Sequence, residues 1–122
     1  MIDEEIFNRI DDIAEQAALI ISVTSEIDYN TFINDPIRSA AVIRFFEIIG
    51  EASRNVLHFY AQAETEFPEI PWRKLLNLRN ILIHDYPSAN LRLIWKFSVE
   101  EIPHLIDDIK TMKKSLLSDN GF

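Results

Sequence analysis

The sequence predicts an all-α protein, an antiparallel four-helix bundle with an additional helix. Apolar residues recur at spacings of three and four along successive stretches, and prolines stand where helices begin or must stop. No stretch alternates apolar and polar residues with the two-residue period of a strand. The 122 residues, 48% of them hydrophobic, suffice for one core and leave little room for a second. Residues 1–122 are therefore read as a single domain whose last few residues fray.

The first helix is expected over residues 3–27. Ile6, Ile10, Ile13, Ala17, Ile20 and Ile21 share a face, Asp3 is placed to cap it, and Glu4 and Glu5 suit its positive end. Asp28-Tyr29-Asn30 reads as a break, after which Thr31 caps a short turn through Phe32 and Ile33. Asp35 followed by Pro36 is an N-cap with proline at the first helical position. The second helix then runs through Ala40, Ile43, Ile48, Val56 and Leu57 to about Gln62. Gly50 in its middle costs roughly 1 kcal/mol relative to alanine, so a close crossing with Ala14, Ala17 or Ala18 is expected there.

Residues 64–68 are polar and turn-like, and Pro71 opens a third helix with Trp72, Leu75, Leu78 and Leu82 on one face. Pro87 disfavours the α region for Tyr86, so this helix ends at or before Tyr86. Ser88 or Asn90 is expected to cap a fourth helix carrying Leu91, Ile94 and Trp95. The last helix, entered through Pro103, has Ile102, Leu105, Ile106, Ile109, Met112 and Leu116 in one stripe.

The formal charge of −8 excludes the broad basic face of an ordinary nucleic-acid binder, because counterion release needs clustered Lys and Arg. Any such contact must be local. Arg38, Arg44, Arg54, Arg73, Lys74, Arg79, Arg92 and Lys96 lie in the middle of the chain, with acids crowding both flanks, so a basic cleft inside an acidic body is expected. Having no cysteine, the chain has no disulfide, thiolate metal site or thiol nucleophile. Its acidic start is unlike the basic start of a signal peptide, and its apolar runs fall short of the ~20 residues of a membrane helix. A soluble, cytoplasmic protein with no membrane association is expected.

A helical bundle rich in carboxylates raises a di-iron site, which needs Glu-x-x-His on each of two helices. Glu101 and His104 supply one such pair, and Glu47 and Glu51 lie one turn apart, but no second Glu-x-x-His follows. No metal and no cofactor are expected. Asp11-Asp12 and Asp107-Asp108 read as solvated faces, and His58 and His104 as surface or structural residues. Serine nucleophile settings and glycine-rich phosphate loops are absent.

The stretch "RNILIHDYP", residues 79–87, concentrates the remaining chemistry. On an unbroken helix positions 79 and 86 share a face while 84 is turned aside. Pro87, by ending the helix near His84, lets the imidazole swing toward the Arg79 side. A histidine in a last helical turn feels the negative end of the dipole, which favours its protonated form. Arginine offers a fork of donors suited to phosphate oxygens. The two are the parts needed for metal-free RNA cleavage: proton transfer at the ribose and leaving oxygens, and stabilisation of charge on phosphorus. A plainer reading stays open on spacing alone, with the histidine capping a helix, the arginine paired to a carboxylate and the tyrosine anchoring a loop. One His and one Arg also make half a site, which two-fold dimerisation through this helix would complete.

At these residues the chain resembles the HepT-like toxins of the HEPN superfamily, whose signature is Arg, four residues, His, one residue and Tyr. Arg79, His84 and Tyr86 fit it without a gap. "AAVIRFFEIIGEASRNV" (residues 40–56) is similar to the family's second helix with its Ile-Gly-Glu-Ala core, and "PWRKLLNLRNILIHDYP" (residues 71–87) to its Pro-Trp-Arg and Arg-Asn stretches. "LIWKFSVEEIPHL" (residues 93–105) is similar to the segment that follows.

The resemblance implies a HEPN-like bundle of about five helices, a homodimer, and a metal-independent endoribonuclease that cleaves cellular RNA as the toxin of a type VII-like toxin-antitoxin pair. Its implied partner is an MntA-like nucleotidyltransferase antitoxin that inactivates the toxin by AMPylating the motif tyrosine. Carried over, Arg79 and His84 are catalytic, Tyr86 is the AMPylation target, and Asn80 positions RNA or the partner. Asp85 stands where the family often has glycine; it either orients His84 or weakens the hold on a polyanion. The competing reading is a non-catalytic subunit that binds nucleotide or substrate for a nucleotidyltransferase complex.

Overall fold

The computed structural model describes residues 3–84 and 87–119, with side chains described for residues 3–78 and 91–119. Among the described residues every regular element is a helix: α1 (Glu4–Thr24), α2 (Tyr29–Ile33), α3 (Pro36–Phe59), α4 (Ala63–Glu66), α5 (Trp72–His84), α6 (Pro87–Glu100) and α7 (Ile102–Asp119). The all-α expectation holds.

Cap chemistry sets the starts of the first three helices. The Asp3 carboxylate accepts from the Glu5 N–H at 3.1 Å, and Asp35 accepts from both the Ile37 and Arg38 N–H groups at 3.1 Å with Pro36 as the first helical residue. These donors, that of Arg38 foremost, hold the Asp35 carboxyl below its ordinary range.

Several boundaries differ from expectation. The first helix ends at Thr24 rather than Ile27, with the Ser25 N–H closing onto the Ile21 carbonyl at 2.9 Å. The chain is then drawn into α2 by Asp28, whose carboxylate accepts from the Thr31 N–H at 2.8 Å. Asp28, not Thr31, is the cap, and Tyr29 and Asn30 are helical rather than a break. The second long helix stops at Phe59, short of Gln62, because Tyr60 leaves helical dihedrals (φ −143°, ψ 75°). Its hydroxyl donates to the Glu66 carboxylate. Burial and then Glu66 push the Tyr60 phenol up to about 12. Residues 64–68 were expected as a turn, and the first of them belong to the single helical turn α4 (Ala63–Glu66). The helix after the motif is already under way at Pro87, so Ser88 and Asn90 lie inside it rather than capping it. A proline's fixed φ suits that first position.

Packing organises the helices around α1 and α3. α1 lies against α3 and α7, α3 also packs on α5, and α6 rests on α7, α1 and α2. Ile13, Ile20, Val42, Ile49, Val56, Ile94 and Met112 are fully buried where these faces meet. Phe46 of α3 meets Phe97 of α6 edge to face, with centroids 5.7 Å apart. Gly50 is buried; of its expected neighbours Ala17 is buried, Ala14 half-buried and Ala18 exposed, which removes Ala18 from any close crossing. Among the described residues no helix is long and apolar enough to cross a membrane.

Candidate functional site

The motif sits on a helix whose first half is firmly held. Trp72, Leu75 and Leu78 recur every three residues on α5 and are 2%, 1% and 4% exposed. The Trp72 indole donates to the Phe67 carbonyl at 3.2 Å, Arg73 pairs with Glu64 at 2.6 Å, and Lys74 reaches Glu101 at 3.4 Å. Arg79, Asn80 and His84 follow on the same helix, His84 being its last residue. Asp85 and Tyr86 lie outside the described residues, as do the side chains of Arg79, Asn80 and His84. Leu82, assigned above to the same apolar face, lies there too.

α6 begins at Pro87, so the two motif-flanking helices are joined by two residues. Ile94 and Ser98 on α6 are fully buried, the Ser98 hydroxyl donating to the Ile94 carbonyl at 2.7 Å. Between α5 and α6 runs a cleft of about 330 Å³ with Leu78, Leu93 and Phe97 as its apolar floor and Asn77 on its wall. Lys74 and Lys96 border it, opposed by Glu100 and Glu101, so its charge is mixed. On the other side of α6 lies a hollow of about 360 Å³ against α2, lined by Tyr29, Arg92, Trp95, Lys96, Val99 and Glu100.

The expected single basic cleft does not form among the described residues. Arg38 pairs with Asp35 and Arg54 with Glu51, each at 3.1 Å, while Arg73 and Lys74 are paired as above. These cations are paired where they stand, two on α3 and two on α5, and Arg44 lines a separate hollow with Asp12, Glu47 and Glu51. Arg92 and Lys96 differ: neither meets a carboxylate among the described residues, and Arg92 sits over the Tyr29 ring at 5.7 Å from its centroid. Sequence placed Tyr29 in a break and Trp95 on an apolar helix face, and marked none of Tyr29, Trp95 and Asn77 as site residues. Asn77 stands seven residues before His84 and so shares its helix face, a signal present in the register; Tyr29 meets α6 only through the fold.

The di-iron candidate does not assemble. Glu101 is engaged by Lys74, and among the described residues no group of three or more His, Asp or Glu is placed to hold a metal ion.

Comparison with known proteins decides the family. The profile described as "Ribonuclease HepT-like" matches residues 13–112, which takes in both motif helices and the residues between them. The chain belongs to the HepT-like family. A protein of Methanocaldococcus jannaschii named "Putative RNase" is 42% identical over 99 residues, 81% of this chain and 88% of that protein. The "Probable ribonuclease HepT" of Thermococcus cleftensis is 40% identical over 105 residues, 86% of this chain and 93% of its own length. A "Putative RNase" of Caldanaerobacter subterraneus is 31% identical over 101 residues, 83% of this chain and 88% of that protein. No solved structure matches the chain. With the family established, Arg79 and His84 of the signature fall on the second half of α5, which closes at His84, while Tyr86 lies outside the described residues.

Proposed function

We propose that this HepT-like protein is a metal-independent endoribonuclease that cuts cellular RNA as the toxin of a type VII-like toxin-antitoxin pair. The observation that carries the reading is the family match over residues 13–112, which spans Arg79, His84 and Tyr86 in the signature spacing. In the proposed reaction the ribose 2′-oxygen attacks the neighbouring phosphorus and the bond from phosphorus to the next nucleotide's 5′-oxygen breaks. The products are a 2′,3′-cyclic phosphate and a 5′-hydroxyl. One imidazole takes the 2′ proton and an imidazolium gives a proton to the departing oxygen, while arginine offsets charge on the phosphoryl oxygens.

One His84 cannot hold both proton states at once. The reading therefore includes a homodimer in which two HEPN-like four-helix bundles, each with an additional helix, place their α5 ends at a shared cleft. Asn80 positions the RNA, and Asp85 borders it.

The purified protein, supplied with a metal chelator, is expected to cleave single-stranded RNA and leave 2′,3′-cyclic phosphate ends, read by end-specific labelling. Intact RNA under all conditions, or cleavage only with added metal, would overturn the proposal; intact RNA would favour a subunit that merely binds nucleotide for a transferase.

Regulation follows from Tyr86. Adenylate attached there by an MntA-like nucleotidyltransferase antitoxin would place phosphate charge and bulk in the RNA path. Incubation with such an enzyme and ATP is expected to raise the protein's mass in adenylate steps and to end cleavage. Tyr86→Phe is expected to keep its mass and its activity; a modified Tyr86→Phe chain would move the regulation elsewhere.

A further inference from the structure

We propose that the surface shared by α2 and α6 is a binding track for the single-stranded RNA that extends beyond the scissile bond. Phosphates lie on Arg92 and Lys96, and a base stacks against the Tyr29–Trp95 pair. The proposal rests on the ribonuclease reading for the identity of its polyanion.

Charge is the first argument. In a chain of net charge −8, the other cations near α5 and α6 whose side chains are described are matched: Arg73 by Glu64 and Lys74 by Glu101. Arg92 and Lys96 are exposed and stand one helical turn apart, about 6 Å along the axis. That interval is comparable with the step between successive phosphates of an extended strand. Among the described residues neither has a carboxylate partner. Arg92 is instead held over the Tyr29 ring, a contact that fixes the guanidinium without cancelling its charge and leaves its N–H edge available.

Aromatic geometry is the second. Phe32, Trp95 and Tyr29 form a series of tilted ring contacts leading out from the core. Phe32 is fully buried and lies 5.3 Å from Trp95 between centroids; Trp95 is half-buried and lies 6.3 Å from the half-buried Tyr29. The inner contact anchors α2 to α6. The outer ring, beside two cations that meet no carboxylate among the described residues, has the makeup of a single-strand platform, in which bases stack on aromatics while a basic groove follows the backbone.

Placement is the third. Arg92 lies five residues and Lys96 nine residues beyond Pro87, or about 7.5 and 13.5 Å along α6 from its first residue. Lys96 borders both the α2–α6 hollow and the α5–α6 cleft, so the two surfaces are continuous across it. Glu100 bounds both hollows at the far end of α6 and closes the track to a polyanion.

The test uses wild-type protein and a single-stranded RNA of about a dozen nucleotides with 2′-O-methyl riboses, which cannot be cut by 2′ attack. Arg92→Glu with Lys96→Glu is compared with the charge-matched pair Lys110→Glu with Lys114→Glu on α7. The track pair is expected to weaken binding more than tenfold beyond the α7 pair. It should also flatten the salt dependence by about 0.7 for each phosphate that is no longer neutralised. Tyr29→Leu is expected to weaken binding roughly 5- to 150-fold, with Tyr29→Phe restoring it. Equal losses from the two charge pairs would overturn the track, as would unchanged binding by Tyr29→Leu. A change of oligomeric state confined to the track pair would also overturn it, by assigning the face to a second copy. Cleavage of unmodified RNA by the wild type is scored separately. If cleavage is present while the track pair binds normally, only the track fails. If the strand binds through Arg92 and Lys96 but is never cut, only the nuclease reading fails.

Discussion

His84→Ala is expected to slow RNA cleavage by about 10²- to 10⁴-fold, the usual worth of a positioned proton donor or acceptor, without shifting the melting temperature. The fold should tolerate the change because His84 is the terminal residue of α5, whereas the helix is held by Trp72, Leu75 and Leu78 near its start. Arg79→Ala is expected to cost about 10²- to 10³-fold, as for the loss of one donor that stabilises transition-state charge. Arg79→Lys should recover only part of this, since ammonium restores the charge and not the two-pronged geometry. The double variant should be little worse than His84→Ala, because residues that act on one transition state lose their effects together. Co-expressing a His84→Ala subunit with a wild-type subunit then tests the shared cleft: a mixed dimer keeps one imidazole where the proposed reaction uses two, so its activity should fall well below half that of the wild-type dimer. A His84→Ala protein that cuts RNA at the wild-type rate would remove the histidine from the mechanism altogether.

The same helix shows what a sequence discloses and what it conceals. Starts were legible at Asp3, Asp35-Pro36 and Pro71 because capping chemistry is local: a side-chain oxygen meets N–H groups two or three residues on. Ends were less legible because they depend on distant partners, as where Tyr60 quits α3 to reach Glu66. The apolar stripes of α1 and α7 were readable from period alone, and their residues are buried except Ile21 and Ile106, which are half-buried at the edges. The motif stood out as chemistry because Arg79, Asn80, His84, Asp85 and Tyr86 lie close together in sequence, the first three of them on α5. The supposed basic cleft failed for a reason already written in the chain: Asp35 and Glu51 each stand three residues before an arginine, a helical spacing that neutralises charge in place. Tyr29 beside Arg92 and Trp95 had no such local sign, since only the packing of α2 on α6 brings them together.

Phe46→Ala is expected to lower unfolding free energy by about 3–5 kcal/mol, the range for emptying a buried phenylalanine site. Phe46 is 1% exposed on α3 and meets Phe97 of α6 edge to face, so the substitution removes buried area and a ring pair worth about 0.5–1.5 kcal/mol by itself. Against a typical stability of about 5–15 kcal/mol the loss is large, and urea unfolding should show a lower midpoint with an unchanged slope. Phe46→Leu should recover much of it by refilling the volume without the ring. The consequence reaches the site because Phe97 also floors the α5–α6 cleft. A void behind that ring leaves α6 less firmly seated, so RNA binding should weaken in the alanine variant even at temperatures where it remains folded. Binding unchanged alongside a stability loss under about 1 kcal/mol, below the usual range for such a site, would mean that Phe97 is seated by its neighbours on α6 and α7 instead. The cleft would then be built independently of α3.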